Sequence, residues 1–298
     1  MFTEPGKMES AVPVKTPHPM SGVSETLLLP LYCRALESRA SEPIIRDQKA
    51  VEITTELNKD FSKSDRRLLR DLAGGRLPSK LVVSMALRTR SFDRYVNDFL
   101  KRSPDGVVVS IGCGLDTRFQ RIDNGKVDWY ELDFPEVIEL KRRFFQESDR
   151  YHFIPSSALD FAWMDGLAEK RGRNFLFYAE GVFMYLKEEQ VRSLVLKLAA
   201  TFPGAELVCE MAGRYTLRMM RTRIGRRKFQ RRFHLKEGVT FSFGIEKGDE
   251  LEGWGPSIKF IDEWTYFDEP EKRLGWFRLF GRFRSFRYAQ WTVHYRFA

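Results

Sequence analysis

The sequence predicts an α/β fold with a mostly parallel sheet, and two features carry this prediction. Short apolar runs alternate with amphipathic segments between residues 80 and 211, and this alternation is typical of parallel strands joined by right-handed helical crossovers. The β-branched run at 107–111 then ends in Gly112 and Gly114, as a buried strand does where it turns into a helix. The 298 residues favour one such domain with an appended cap over two independent domains.

The glycine loop predicts a site for a nucleotide-like cofactor, because glycines let a ligand approach the backbone closely. Further along, a second apolar run ends at Asp133, which places a carboxylate where ribose hydroxyls can be bound. A dinucleotide site wants a third glycine where Thr117 stands. Asp116 at the mouth of the loop would repel a diphosphate but could accept hydrogen bonds from an ammonium or a ribose. These features favour S-adenosylmethionine over NAD.

Four motifs extend the pattern beyond the glycine loop. They read RTRSFD at 88–93, GCGLDTRF at 112–119, YELDFP at 130–135 and AEGVFMYL at 179–186. In this order they resemble the leucine carboxyl methyltransferase family, in particular the branch of bacterial and fungal enzymes similar to the tetracenomycin polyketide carboxyl O-methyltransferases. The resemblance covers residues 26–211 and carries little beyond them.

The resemblance implies a class I S-adenosylmethionine-dependent methyltransferase with a Rossmann-like, mostly parallel seven-stranded sheet. Residues 1–22, with prolines at 5, 13, 17 and 19, are expected to form a disordered arm. Residues 23–105 are expected to form an N-terminal helical cap, and residues 106–298 the methyltransferase core. Within this core, residues 213–262 are expected to form a lid inserted after the fifth strand, where the substrate is chosen.

The periodicity of apolar residues places the individual elements. Helices are expected at 24–36, 51–61, 66–72, 80–102, 135–146 and 187–201. Parallel strands are expected at 107–111, 127–133, 151–155, 175–179 and 205–211. Two last strands, at 286–289 and 291–297, are expected to close an antiparallel edge.

The resemblance assigns the cofactor's ribose and base to particular residues. It implies that Gly112, Gly114 and Asp133 hold the backbone-facing and ribose parts of the cofactor. The adenine would meet Ser157 and the backbone amide of Ala158. Many relatives carry an acidic residue at the position of Ser157.

Basic and acidic residues are the candidates for the cofactor's methionine end. Arg88 or Arg90 is the candidate clamp for a carboxylate of the cofactor or of the substrate, because a guanidinium grips carboxylates in bidentate fashion. Glu180, at the end of the fourth strand, needs a cationic partner if it is buried. We expect Arg90 with Glu180 to hold the methionine end. Arg34 is either a further cofactor contact or part of a surface ion pair.

The scarcity of bases is compatible with a carboxylate as the methyl acceptor. A phenol or amine is protonated near neutral pH and needs a general base such as histidine, whereas a carboxylate needs none. The chain has only His18, His152, His234 and His294. With the resemblance, which implies a small, polyketide-like acid, the predicted function is methyl esterification of such a carboxylic acid. A phenolic O-methyltransferase is the alternative, and a protein C-terminus is another acceptor. Tyr185 and His234 are candidates for the substrate pocket, and Tyr185 is equally a candidate for the core.

Residues 213–236 contain ten arginines and lysines and no acid. This segment is expected to form a basic amphipathic helix that either covers a pocket or, over 214–232, binds an anionic polymer or a membrane. In that second case the chain would be a non-catalytic module. Residues 238–255 are expected to form a mobile loop.

Composition limits the remaining classes. The 50 basic and 41 acidic residues give +9, which is moderate for a nucleic-acid binder. Three cysteines without metal-ligand spacing fit a reduced, cytoplasmic setting. No apolar run approaches the ~20 residues that span a bilayer. We therefore expect no metal, and neither nucleic acid nor membrane as a partner. The resemblance implies a small-molecule substrate.

Overall fold

The computed structural model of the chain describes residues 22–170, 172–222, 225 and 241–298. Its centre is a seven-stranded sheet in the order β3-β2-β1-β4-β5-β7-β6. All pairings from β3 to β5 are parallel, and β7 runs antiparallel to both of its neighbours. The strands are β1 Val107–Ile111, β2 Asp128–Asp133, β3 Tyr151–Pro155, β4 Phe175–Ala179, β5 Glu206–Ala212, β6 Ile258–Trp264 and β7 Gln290–Phe297. The predicted fold class is confirmed.

Nine α-helices accompany the sheet in the described ranges. They are α1 Gly22–Ser38, α2 Gln48–Phe61, α3 Arg67–Ala73, α4 Ser79–Arg102, α5 Arg118–Ile122, α6 Pro135–Arg142, α7 Glu188–Thr201, α8 Arg214–Arg221 and α9 Arg284–Arg287. Short 3-10 segments lie at Phe161–Lys170, Phe183–Tyr185, Gly248–Trp254 and Lys272–Arg282. Helix α6 ends four residues before the predicted position at 146.

The core lies on both faces of the sheet, because the side chains of each strand alternate between them. On one face, Val108 and Leu176 pack with α1, α2 and α4. On the other, Val107 and Phe177 pack with α7. Helix α4 therefore covers one face of the sheet.

The predicted strand at 286–289 is wrong, because these residues lie in α9 and the turn after it. The sixth strand is Ile258–Trp264, which pairs with β7 at the edge of the sheet. Its sequence lacks the apolar pattern of a strand, because it contains Lys259, Asp262 and Glu263 and only its two end residues are buried. Charges on an edge strand are a common protection against aggregation. The predicted end of the insertion at 262 falls inside this strand.

The prediction of a mobile loop at 238–255 does not hold where the structure describes it, from 241 onwards. Phe241, Phe243, Ile245 and Leu251 are buried there. The expected arm at 1–22 lies outside the described residues apart from its last residue. The same is true of the basic segment at 223–240 apart from Gly225, and of His234 within it.

Candidate active site

The glycine loop between β1 and α5 has the backbone conformation that glycine permits. Gly112 and Gly114 have φ angles of 69° and 51°, a region that other residues enter at a cost. A side chain on Gly112 would bring its Cβ within 2.5 Å of Val182. On Gly114 the nearest atom to such a Cβ would be that of Leu27 in α1, at 3.5 Å. Helix α1 thus lies over the loop.

Asp133 ends β2 beside this loop. Its carboxylate accepts hydrogen bonds from the backbone N–H groups of Gly114, at 2.7 Å, and Phe134, at 2.8 Å. Burial raises the pKa of Asp133, although these two N–H groups act in the opposite direction. The structure therefore brings Gly114 and Asp133 together as the sequence predicted.

Ser157 and Ala158 follow β3 at the same edge of the sheet. In the sheet, Asp133 of β2 is paired with Pro155 of β3. Ser157 and Ala158 therefore follow the strand residue that lies beside Asp133. Both are half-buried, and the Ser157 hydroxyl accepts a hydrogen bond from the Leu159 N–H at 3.2 Å. The residues predicted for ribose and adenine thus share one end of adjacent strands, where open α/β sheets bind ligands.

Lys141 of α6 donates hydrogen bonds to backbone carbonyls of the glycine loop. Its ammonium group is fully buried, pairs with Glu131 and donates to the Asp116 carbonyl at 2.8 Å. Burial works against the charged form of Lys141, but the adjacent Glu131 carboxylate raises its pKa above the ordinary value. The lysine is therefore a cation that holds a loop carbonyl in place.

A chain of buried ion pairs runs behind the loop from α2 to β5. Fully buried Arg118 bonds Asp93, Asp116 and, at 2.7 Å, Glu180. The chain contains five carboxylates and four arginines: Asp47, Asp93, Asp116, Glu180, Glu210, Arg34, Arg88, Arg118 and Arg121. Every carboxylate in this chain of ion pairs bonds an arginine, but the carboxylates outnumber the arginines by one.

Arg88 joins the ends of β4 and β5. Its Nε donates to Glu180 at 2.8 Å and its Nη1 to Glu210 at 3.0 Å, while its Nη2 donates to no residue that the structure describes. Arg90 points elsewhere and pairs with Glu269 at 2.9 Å. The expectation that Arg90 stands with Glu180 is therefore wrong in its geometry. The two arginines are two positions apart in α4, about 200° around the helix axis, so Arg88 is buried and Arg90 is half-exposed.

Arg34 is buried, with 5% of its surface exposed. It bonds Asp47 and the Leu115 carbonyl, each at 2.8 Å. The surface ion pair considered from the sequence is thus a buried one, and it ties α1 to the glycine loop.

Beyond Arg88, polar side chains surround Glu210. Its carboxylate accepts hydrogen bonds from Gln290 at 2.6 Å and from Tyr266 at 3.2 Å. Burial and the nearby Glu180 raise the pKa of Glu210. Tyr185 is half-buried, and desolvation with the charge of Glu210 raises its pKa to about 12. Tyr185 also packs against the apolar cluster of Met184, Ala212 and Phe241, so its surroundings combine core residues with the charge of Glu210.

Sequence reasoning missed Glu210, Tyr266 and Arg118. Glu210 did carry a signal, since a single acid interrupts the apolar strand ELVCEMA and a carboxylate buried in a strand needs a partner. Arg118 stood inside a quoted motif without a role. Tyr266 lies on a loop far along the chain, so nothing local could have placed it beside β5.

The described histidines lie away from this site. His152 of β3 stacks on Tyr130 of β2, and His294 bonds Glu206 at the opposite end of β5. Cys113 is buried, and its pKa is raised by desolvation, so it is not an activated nucleophile. In the part of the chain that the structure describes, no group of His, Cys, Asp and Glu could hold a metal. No described helix is long and apolar enough to cross a membrane.

The donor set fits S-adenosylmethionine. Asp133 offers acceptors for ribose hydroxyls, Glu180 an acceptor for an ammonium, and Arg88 Nη2 a donor for a carboxylate. The ion-pair chain has one carboxylate more than it has arginines, and a ligand with an ammonium, a sulfonium and a carboxylate brings the compensating positive charge. A diphosphate would bring the opposite sign.

Comparison with known proteins agrees with this geometry. The model of the leucine carboxyl methyltransferase family matches residues 28–199. The tetracenomycin polyketide synthesis O-methyltransferase TcmP of Streptomyces glaucescens is 31% identical over 252 residues, 84% of this chain and 86% of that protein. The S-adenosyl-L-methionine-dependent methyltransferase dpfgK of Gibberella zeae is 27% identical over 191 residues, 61% of this chain and 62% of that protein.

A solved structure shares the fold. A DUF574 family protein from Streptomyces avermitilis superposes with a TM-score of 0.55 at 13% identity, covering 91% of this chain and 97% of that one. The family model spans more than half of the chain, and TcmP is similar along most of it. The chain therefore belongs to the leucine carboxyl methyltransferase family and is an S-adenosylmethionine-dependent methyltransferase.

Proposed function

We propose that the protein methylates a carboxylate oxygen of a small, polyketide-like acid and so forms a methyl ester. The observation that carries this proposal is the chemistry around Arg88. The Arg88 guanidinium, whose Nη2 donates to no described residue, lies with Tyr185 and Tyr266 at the ends of β4 and β5, and no described histidine lies there. Such a site suits an acceptor that is already ionised.

The same geometry supports roles for the cofactor-binding residues. Asp133 would accept hydrogen bonds from the ribose, and Ser157 with Ala158 would meet the adenine. Glu180 would accept from the amino group of the methionine end. One hydrogen of Arg88 Nη2 would be donated to the carboxylate of that end, and its second hydrogen would face the acceptor. Arg90 has its own partner in Glu269, so we assign it no cofactor contact. Arg34 and Arg118 would position the loop.

When bound, S-adenosylmethionine supplies an electrophilic methyl group on a sulfonium. The protein then has to hold the acceptor in line, and positioning of this kind lowers a barrier substantially. An acceptor carboxylate oxygen would form the new O–CH₃ bond while the S–CH₃ electrons return to sulfur. No proton moves in this step, so Tyr185 would orient the acceptor by hydrogen bonding and need not titrate. The Tyr266 hydroxyl donates to Glu210 and would shape the site without bonding the acceptor.

The insertion after β5 is proposed to line the acceptor space. The Ser242 N–H donates to the Met184 carbonyl at 2.7 Å. The ring of Phe241 lies edge-on to that of Tyr185, with centroids 5.4 Å apart. These contacts place the described part of the insertion beside a candidate substrate residue, as a lid requires.

The relatives support an O-linked acceptor. The family is named for leucine carboxyl methylation, and TcmP is a tetracenomycin polyketide synthesis O-methyltransferase. The alternative of a non-catalytic module falls with the family assignment. Phenol methylation stays a second candidate because Glu210 is buried beside the site with a raised pKa, and a carboxylate of this kind can act as a general base.

The product separates the two candidates. Purified protein would be incubated with methyl-labelled S-adenosylmethionine and a matched panel of aromatic acids and phenols. A methyl ester releases labelled methanol in alkali, whereas an aryl methyl ether does not. Ester formation should vary little with pH between about 6 and 8, because the acceptor is ionised throughout. Base-stable product formed at a rate that rises steeply with pH would overturn the proposal in favour of phenols.

The cofactor roles have their own test by isothermal titration. Asp133→Ala and Glu180→Gln should each weaken S-adenosylmethionine binding about tenfold, roughly 1.4 kcal/mol. Glu139→Ala removes an exposed carboxylate from α6 and is the matched control. Unchanged affinity in both site variants, with native circular dichroism, would contradict the proposed positions.

A further inference from the structure

The segment 272–288, here called the 272–288 surface, exposes apolar and basic side chains together. Trp276, Leu279, Phe283 and Phe286 are 64%, 60%, 60% and 43% exposed. They are four of the eight large hydrophobic side chains that stand exposed in the described ranges. The segment also holds six lysines and arginines and no acid. Exposed apolar side chains are usually scattered singly, so their concentration here indicates an interaction surface.

This surface is anchored to the body of the protein. Leu274 is buried in the core at 1% exposure. Arg273 pairs with Glu37 of α1 at 2.9 Å. The Lys80 ammonium of α4 lies 4.6 Å from the centre of the Trp276 ring. The exposed side chains are therefore presented by a fixed segment and not by a loose tail.

Helix α8 extends the same surface. A groove of about 270 Å³ separates it from α9 and is lined by Tyr215, Arg218 and Arg284 among others. Tyr215 and Met219 of α8 are 48% and 44% exposed. Together the two segments hold six of the eight exposed large hydrophobic side chains.

The charge of the surface calls for an anionic partner. Arg278 and Arg282 are exposed and pair with no carboxylate among the residues that the structure describes. Arg218 and Arg221 of α8 add two further cations on the adjoining helix. Aromatic and aliphatic side chains interleaved with arginines are typical of segments that lie in the interface of an anionic bilayer.

The ring geometry favours a bilayer over a nucleic acid. A nucleic-acid platform presents separate ring faces on which bases stack. Here the rings of Trp276, Phe283 and Phe286 instead pack around Phe280, with centroid distances of 5.3, 6.5 and 5.0 Å. Leu279 is as exposed as any of these rings except Trp276 and offers no ring at all. We propose that the 272–288 surface binds peripherally to membranes that contain anionic lipids.

The position of the surface relates this binding to the site. Gln290 follows α9 directly and donates to Glu210 at 2.6 Å. Helix α8 begins just after β5, the strand that carries Glu210. The surface therefore borders the carboxyl end of the sheet, and docking brings the candidate site to the lipid–water boundary. The proposal replaces the sequence-based expectation of no membrane partner.

Vesicle flotation with the full chain tests the proposal. Vesicles of phosphatidylcholine with phosphatidylglycerol should bind the protein, and vesicles of phosphatidylcholine alone should bind it much more weakly. Trp276 provides a second readout, because it is the most exposed of the six tryptophans. Its emission should shift to the blue on binding and should be quenched by brominated lipids, which report insertion.

Two pairs of variants separate the apolar from the basic contribution. Leu279→Ser with Phe283→Ser should weaken vesicle binding on the order of tenfold. Ile261→Ser, which removes a 44% exposed side chain from β6, is its control. Arg278→Gln and Arg282→Gln should each weaken binding about fivefold, and Arg67→Gln, on exposed α3, should not. Affinity for S-adenosylmethionine should stay unchanged in all of them, which shows that the variants fold.

Several outcomes would overturn the proposal. Equal binding to neutral and anionic vesicles would remove its electrostatic basis. Binding that the serine variants leave unchanged would remove its apolar basis. Tight oligonucleotide binding without vesicle binding would assign the surface to nucleic acid. A dimer in sedimentation that the serine variants dissociate, again without vesicle binding, would assign it to a second copy of the chain.

Discussion

Strand β5 carries a buried glutamate near each of its ends, and the surroundings of the two differ. Glu210, near the carboxyl end, lies with Arg88 in a chain of ion pairs whose arginines at β4 and β5 are almost fully buried. Glu206, at the amino end, accepts hydrogen bonds from Arg102, Arg296 and His294, and the side chains of both arginines are 50% exposed. Both carboxylates have cationic partners. Only the two arginines that bond Glu206 are exposed enough to be solvated by water when the ion pair breaks.

This difference separates two uses of charge in one sheet. A buried charge that loses its partner keeps the full cost of its desolvation, whereas a half-exposed charge is solvated again. The pKa of Glu210 is raised by burial, while three cationic donors overcome burial and lower that of Glu206 to about 2. At the carboxyl end of β5, burial thus disfavours the charged form of the glutamate. At the amino end, the cationic donors favour the charged form. Sites for charged ligands are commonly of the first kind.

The largest expected effect concerns Arg118. Arg118→Met leaves Asp93, Asp116 and Glu180 facing one another without their shared cation. Breaking such a buried pair costs about 3–5 kcal/mol, which should appear as a lower midpoint in urea unfolding. The double variant Arg118→Met with Glu180→Gln should recover part of the loss. If Arg118→Met cost under about 1 kcal/mol, the two ends of the sheet would not differ as argued.

The parts of the molecule that sequence could predict follow the same division. The strands from β1 to β5 and the residues Gly112, Gly114 and Asp133 are local patterns, and each lies where the sequence placed it. The ion-pair chain joins residues far apart in the sequence, such as Asp47 and Arg121, so no local pattern shows it. The sequence could not decide whether Arg88 or Arg90 faces Glu180, because this depends on how α4 is rotated about its axis against the sheet. The edge strand β6 was hidden by its charges.

A smaller loss is expected at the amino end from Glu206→Gln. The amide can accept only some of the hydrogen bonds that the carboxylate receives from Arg102, Arg296 and His294. Hydrogen bonds to charged groups contribute about 1.5–3 kcal/mol, and the exposed arginines can recover solvation. We expect a destabilisation at the lower end of this range in urea unfolding, with unchanged cofactor affinity. A loss as large as that of Arg118→Met would erase the contrast between the two ends.

His294 should make the stability of this cluster depend on pH. Burial acts to lower its pKa, but hydrogen bonds to Asp262 and Glu206 outweigh burial and raise it. The folded protein therefore holds the proton more tightly than the unfolded chain. The resulting stabilisation is complete below the unfolded pKa of about 6.5 and is lost as the pH rises through the folded pKa.

The measurement compares His294→Gln with the native chain at two pH values. Urea unfolding should show the variant less stable by about 1 kcal/mol below the unfolded pKa of about 6.5. It should be less affected at a pH above the folded pKa of His294, where the native histidine is neutral as well. The exposed-site variant Glu139→Ala corrects for the general effect of pH. If the stability difference between the two proteins grew with pH, the cluster would favour the neutral form of His294. Arg102 and Arg296 alone would then compensate the charge of Glu206.

The smallest effect is expected for Arg102→Gln, and it tests the comparison most closely. Arg102 makes two hydrogen bonds to Glu206, at 2.7 and 2.8 Å, so by geometry alone it resembles the arginines of the site. Its side chain is 50% exposed, however, and Arg296 bonds the same carboxylate. Exposed pairs of this kind contribute about 0.2–1 kcal/mol, and high salt should reduce even that. A salt-insensitive loss of several kcal/mol would show that hydrogen-bond geometry, and not burial, sets the cost of removing an arginine from this sheet.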